Sequence, residues 1–256
     1  MGGRVYDLEI RFSRNALMVS GAPAASPAML RERLTRMFQL NVDTSEFVDL
    51  AGASPPHAWV KESGFGRLLC GSTLFEDAIK IIATTNTTWR QTVRMVELIV
   101  EKCGRRSPKG FAAFPGPADI ARFTVEELQR DCRLGYRAAT MHALAAGVAS
   151  GAIDLAAVSA TAQTTEGLFR SYKTLPGIGP YGAAHLLAMD GRHDFIAVDS
   201  EFRRFVRESY HRGRRVSDAT MLRRYKRWGR WKYLAYWSEL WNSVAERLQP
   251  ESGGGK

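Results

Sequence analysis

The chain has 256 residues, 45% of them hydrophobic and 24% charged, a balance that can bury a sizeable core and that excludes an intrinsically disordered chain. Its formal net charge of +10 and pI near 9.8 favour a polyanionic partner and argue against an acidic, self-solvating protein. Between Glu201 and Lys232, twelve Lys and Arg stand against three Asp and Glu, so most of the excess sits in one stretch. From the N-terminus, Tyr6 to Phe12 alternates polar and apolar residues, and Ala16 to Val19 can pair with it across a Ser13-Arg14-Asn15 turn. Gly21 to Pro27 reads as a Pro/Ala/Gly/Ser linker. Beyond it Met29, Leu30, Leu34, Met37 and Phe38 take helical spacing, and the chain is mainly α from there on.

Helix starts are written into the next stretch. Ser72-Thr73 can cap a helix carrying Leu74, Phe75, Ala78, Ile79, Ile81 and Ile82, and Thr124-Val-Glu-Glu127 is a capping box. Thr164 to Tyr172 leads into Leu175-Pro-Gly-Ile-Gly-Pro-Tyr-Gly-Ala-Ala-His-Leu-Leu187, which is followed by Ala197-Val-Asp-Ser200. Gly177 and Gly179 permit a tight turn and close approach of a ligand to the backbone, while Pro180 fixes φ at the first helical position. The free amides at that helix start suit a phosphate diester. The Gly-rich tail, 251–256, is expected to be disordered.

Cys70, Cys103 and Cys132 lie too far apart for a zinc pair and do not form a secreted disulfide framework; they read as buried thiols. No apolar run reaches the length of a membrane span, and the first residues lack the charged head and apolar core of a secretory signal. An intracellular protein without a membrane partner is the expectation.

The hairpin with its spaced aspartate resembles the helix-hairpin-helix (HhH-GPD) superfamily of base-excision DNA glycosylases, in particular the 3-methyladenine II and 8-oxoguanine branches. Leu74 to Gly104 resembles the family's long helical pair, Leu134-Gly-Tyr-Arg137 its DNA-facing turn, and Gly229 to Trp237 its closing aromatic helix. The resemblance implies a mainly α fold with a small N-terminal antiparallel sheet and two helical subdomains flanking a DNA-binding cleft. Residues 1–27 would form the sheet segment and linker, 74–145 one subdomain, and 28–73 with 146–250 the other.

It also implies a monomeric enzyme that flips a damaged base out of duplex DNA and leaves the abasic strand to an AP endonuclease. Asp199 matches the essential aspartate, whose carboxylate would stabilise oxocarbenium character in the transition state or orient the water. Its simpler role is the N-cap of the helix that begins at Ser200, and the two are compatible. Tyr181 stands where bifunctional members carry a lysine, so hydrolysis without strand nicking is expected; Lys173 is a displaced alternative nucleophile. Asn86 matches an asparagine that enters the vacated stack, Tyr136 a tyrosine wedge, with Leu134 as the alternative wedge and Arg137 beside it. Their structural alternatives are a turn residue for Asn86 and a core ring for Tyr136.

Tyr181, His185 and Trp231 are the expected base-pocket residues. Aromatics there would stack on cationic alkylated purines, whereas the histidine could bond a neutral base edge, leaving oxidised or deaminated purines open. Carbonyls of Lys173, Leu175 and Ile178 would hold a sodium or potassium ion by resemblance. No cofactor is expected to be required. No cysteine follows Cys132, so the iron–sulfur subclass is not expected. A non-catalytic lesion-binding module is the reading of a different class.

Overall fold

The computed structural model describes residues 5–13, 16–21, 27–160 and 164–248. Arg14 and Asn15 of the expected turn, most of the expected linker and the Gly-rich tail lie outside the described residues. The chain opens with two strands, β1 (Glu9–Phe12) and β2 (Leu17–Ser20), paired antiparallel from Glu9↔Ser20 to Phe12↔Leu17. Both strands are shifted from the sequence expectation. Glu9 is the last residue with a partner because Gly21 leaves the ladder at φ +82°, where any Cβ would stand 2.2 Å from the Asp7 carbonyl oxygen.

Helices α1 (Pro27–Met37), α2 (Ser45–Gly52) and α3 (Trp59–Ser63) follow, with a short 3-10 turn at Pro55–His57. Next come α4 (Leu74–Thr84), α5 (Trp89–Cys103), α6 (Pro117–Ala121), α7 (Val125–Asp131) and α8 (Arg137–Ser150). The remainder is α9 (Leu155–Val158), α10 (Thr165–Tyr172), α11 (Pro180–Met189), α12 (Ser200–His211), α13 (Asp218–Arg223) and α14 (Lys232–Leu248). Many of these helices begin where a short polar side chain takes up an orphan backbone amide: Thr73 for α4, Thr88 for α5, Thr124 for α7 and Thr164 for α10. At Thr88 and Thr124 the capping boxes are completed by Gln91 and Glu127.

The expected closing helix does not start at Gly229. Gly229 adopts φ +54° and ψ −121°, which breaks the 3-10 segment Lys226–Trp231, and regular helix begins only at Lys232. That backbone conformation is open to glycine and costly for any residue with a Cβ.

The chain divides into two compact units, Met1–Phe38 with Cys70–Gly182, and Gln39–Leu69 with Ala183–Lys256. In the first, α6 and α7 pack on α8, and α4 packs on α5 and α8. Its core is aliphatic, built from Ile79, Ile82, Met95, Leu98, Ile99, Ile120, Leu128, Met141, Leu144 and Leu168. A deeply buried acid lies among them. Asp77 accepts the Gly71 amide at 2.6 Å and pairs with Arg36 at 2.7 Å; burial nevertheless pushes its carboxyl above the usual range.

In the second unit α2 packs on α3, α12 on α13, and α14 on the two 3-10 turns. Its core is aromatic: Phe47, Phe202, Phe205, Tyr225, Trp228, Trp231, Tyr233 and Tyr236. Cys103 and Cys132 are buried free thiols, as expected, and Cys70 is half-buried. Among the described residues no helix is long and apolar enough to cross a membrane.

Candidate active site

The hairpin is built by packing on the aliphatic unit. After α10 the amide of Leu175 donates to the Tyr172 carbonyl and that of Ile178 to the Leu175 carbonyl, each at 3.1 Å. Both side chains are buried, which pins the turn from beneath. Gly177 sits at φ +77°, and a Cβ there would stand 2.3 Å from Thr140 Cγ2, so glycine is required twice over. Gly179 has open space around its Cα, and Gly179 and Pro180 are exposed. The hairpin therefore presents bare backbone at the start of α11. Tyr181 follows, partly buried, its hydroxyl 3.4 Å from Thr84 Oγ1. Lys173 is exposed, its ammonium 5.7 Å from the Phe169 ring.

A second feature of the same unit lies between α4 and α5. Asn86 is exposed in the left-handed region at φ +45°, so the turn role and an outward-facing side chain coexist. Its amide nitrogen donates to the Tyr136 hydroxyl at 3.3 Å, and Thr85 Oγ1 lies 3.4 Å from the same oxygen. These two contacts lower the Tyr136 phenol from its ordinary value. Tyr136 is 60% exposed and so is no core ring.

Arg137 departs from its expected DNA-facing place. It is 8% exposed and its guanidinium turns inward to the carbonyls of Thr85 and Asn86, locking the loop that carries Asn86. Leu134 is 1% exposed and belongs to the core, whereas the Tyr136 ring stands in solvent. Trp89, at the first position of α5 and 76% exposed, escaped sequence reading. The available signal was an indole standing directly after a cap, where a polar residue is usual.

Asp199 occupies the N-cap of α12, with extended backbone at φ −119° and ψ −172°; its Oδ1 accepts the Phe202 amide at 2.6 Å and its carbonyl accepts Arg203 at 3.1 Å. Burial of Ile196 and Ala197 just before it and of Phe202 just after it fixes both flanks. The carboxylate is half-buried and held by one oxygen.

His185 is partly buried, with its ring edge-on to Tyr233 at 6.2 Å. Trp231 is 4% exposed and packs inside the aromatic core, between Phe47 at 6.0 Å and a stacked His193 at 5.7 Å. His193 is 2% exposed, and neither of its ring nitrogens has a hydrogen-bond partner among the described residues; burial pushes its pKa down to about 4, so it is neutral at physiological pH. The sequence offered only an unremarked His between Arg192 and Asp194. Among the described residues no group of three His, Cys, Asp or Glu is placed to hold a metal.

Comparison with known proteins agrees with this geometry. A search of curated proteins found no match. Among solved structures the chain is similar to a 3-methyladenine DNA-glycosylase from Archaeoglobus fulgidus, with TM-score 0.76 and 21% identity over 96% of this chain and 86% of that one. It is similar also to the Clostridium acetobutylicum 8-oxoguanine glycosylase/lyase in complex with DNA, with TM-score 0.74 and 17% identity over 94% and 82%. A third, the 3-methyladenine DNA glycosylase of Schizosaccharomyces pombe in complex with abasic DNA, aligns with TM-score 0.58 and 19% identity over 76% and 94%. At such identities these likenesses establish the fold. The model of the HhH-GPD superfamily of base excision DNA repair proteins matches residues 79–232, which include the hairpin and Asp199, and the chain belongs to that family.

Proposed function

We propose that the protein is a monofunctional DNA glycosylase that hydrolyses the N-glycosidic bond of a flipped-out damaged purine in duplex DNA, with alkylated purines as its substrates. The observation that carries this reading is the fixed Asp199 carboxylate, aligned by a single short cap bond and preceded by a hairpin of bare backbone. Such a carboxylate stabilises positive charge that exists only as the glycosidic bond breaks. Its second oxygen would orient the attacking water.

Tyr181 supplies an aromatic face in place of an amine. A phenol forms no imine with the sugar, so the product is free base and an intact abasic strand, the substrate of an AP endonuclease. Lys173 faces the Phe169 ring, which supports no nucleophilic role for it. The rings of Tyr181 and His185, four residues apart on α11, would contact the base, with Trp231 backing the aromatic side from within the core. Tyr136 and Asn86 would engage the strands that the flipped base leaves.

The carbonyls of Lys173, Leu175 and Ile178 are neutral donors on a pinned turn, a set that suits a sodium or potassium ion; the ion would add positive charge where the hairpin meets phosphate.

A second reading is favoured by the Asn86–Tyr136–Arg137 cluster, whose hydrogen bonds give a shaped surface for the orphaned base. It makes the lesion an oxidised purine and predicts excision that depends on the opposite base. Single-turnover reactions on duplexes carrying 3-methyladenine, hypoxanthine or 8-oxoguanine, worked up neutral or with hot alkali, separate the two. Strand breaks only after alkali, on the alkylated duplex, support the first reading; breaks without alkali overturn monofunctional hydrolysis. Asp199→Asn retains a good N-cap and folds, keeps abasic-DNA binding, and loses about 10²–10³-fold in excision rate. Unchanged turnover in that variant removes Asp199 from the chemistry.

A further inference from the structure

The acids and bases of the Glu201–Lys232 stretch are not mixed evenly. All three acids are engaged along α12 or at the start of α13: Glu201 and Glu208 hold Arg204, and Asp218 holds Arg203 at 2.8 Å. Beyond them the turn from α12 to α13 is purely cationic. Arg212, Arg214 and Arg215 are exposed, and no ion pair engages them among the described residues.

The turn is also shaped. Arg212 and Gly213 take consecutive left-handed conformations at φ +50° and +76°. The Gly213 amide closes on the Arg207 carbonyl at 3.0 Å and the Arg214 amide on the His211 carbonyl at 2.9 Å. One residue before the helix ends, Tyr210 packs edge-on to buried Phe205 at 6.1 Å and carries the Arg224 guanidinium over its ring. Three guanidinium groups are thus borne on an anchored reversal, with no ion pair to neutralise them among the described residues.

We propose that this turn is an auxiliary phosphodiester-binding site that grips duplex DNA flanking the lesion, at the far end of the helix that Asp199 caps. The inference rests on the glycosylase reading above. Its reach follows from the helix: twelve residues at ~1.5 Å each place the turn about 18 Å from Asp199. That is about five base pairs of duplex at ~3.4 Å each. Guanidinium groups pair with phosphate oxygens in a fork, so three of them would neutralise about three phosphates.

The test compares the full chain with R212Q/R214Q/R215Q on abasic-analogue duplexes extending about twelve or about three base pairs to either side of the site. On the long duplex the log–log salt slope of the variant should be shallower by about 2.7, which amounts to about 40-fold in relative affinity between about 50 and 200 mM salt. On the short duplex variant and wild type should bind alike, and single-turnover excision at saturating enzyme should be unchanged. Equal slopes on the long duplex overturn the proposal, as does an equal loss on both duplexes by a variant that melts with the wild type. Should the triple variant melt early, R214Q alone carries the same comparison at about one third of the slope change. A wild-type chain that binds neither duplex overturns the glycosylase reading itself, a result distinct from both.

Discussion

The two compact units bury different kinds of surface, and the difference follows their burdens. The unit holding the hairpin and the Asn86 loop fills its core mainly with Ile, Leu and Met, side chains with no N–H or O–H groups to satisfy, beside the buried rings of Phe75 and Tyr172. Its one deeply buried acid, Asp77, has Arg36 and the Gly71 amide as partners. The unit holding Asp199 fills its core with Phe, Tyr, Trp and His, whose rings bury more area but bring N–H and O–H groups with them. Tyr225 finds Glu239 at 2.7 Å, and His57 reaches the same carboxylate at 3.3 Å. Among the described residues, Trp59 Nε1, Trp231 Nε1 and both nitrogens of His193 find none. An aliphatic core is simple to satisfy and holds a backbone turn rigid; an aromatic core packs large rings at the cost of buried polar atoms left over.

The largest expected effect is on the aromatic side. Phe202 is fully buried, edge-on to Tyr236 at 5.0 Å and tilted against Tyr225 at 6.1 Å. Phe202→Ala should cost about 3–5 kcal/mol in urea unfolding, while Leu144→Ala in the aliphatic core should fall anywhere within about 2–5 kcal/mol, according to how far that site collapses. A loss below about 1 kcal/mol at Phe202 would mean that the ring contacts do not hold that unit together.

Next in size is a pH effect confined to the aromatic unit. His193 titrates at about 4 when folded and near 6.5 when unfolded, so between those values the unfolded chain binds the extra proton. Stability is therefore fully present above about pH 6.5 and falls as the pH drops toward 4, by about 3 kcal/mol in all. His193→Phe should flatten the thermal midpoint across that window and, because two unsatisfied nitrogens are removed, should not lower it at neutral pH. An unaltered acid limb in the variant would show that His193 is not the group responsible.

Much of this was legible in the sequence, and the parts that were not share a physical reason. The caps at Thr73 and Thr124 are local signals, read from a short polar residue before a helical run, whereas those at Thr88 and Thr164 are of the same kind and went unread. Gly177 was legible because a glycine between Pro and Ile in a turn has few other uses. Arg137 was not, because whether a guanidinium faces solvent or captures carbonyls fifty residues away depends on how α8 meets the loop after α4. The extent of β1 was off for a related reason: alternation marks a strand, but Gly21 on the partner decides where pairing stops. The burial of His193 is set by what surrounds it in space, which no window of sequence reports.

Tyr136 tests whether the aliphatic unit's exposed aromatics serve its stability or its partner. With its ring largely in solvent, Tyr136→Ala should change stability by less than about 0.5 kcal/mol. Loss of one ring that stacks on a base should weaken abasic-duplex binding by about 5–150-fold, corresponding to about 1–3 kcal/mol. Full-strength DNA binding by this variant would return Tyr136 to the role of a loop brace for Asn86.

The smallest effect should be blind to the difference between the cores. Thr88 accepts the Gln91 amide at 3.3 Å at the start of α5, and Ser217 accepts the Thr220 amide at 3.2 Å at the start of α13. Each satisfies one orphan amide at an exposed helix end, a local exchange in which the buried side chains take no part. Thr88→Ala and Ser217→Ala should accordingly each cost about 1 kcal/mol, within a few tenths of one another, in urea unfolding. Thr88 has one further consequence that Ser217 lacks: it lies two residues after Asn86, so a frayed start of α5 should also loosen the Tyr136 hydroxyl contact and raise its phenol pKa toward the ordinary value. A cost at Ser217 well above that at Thr88 would mean that the two units differ in how their helices begin as well as in what their cores contain.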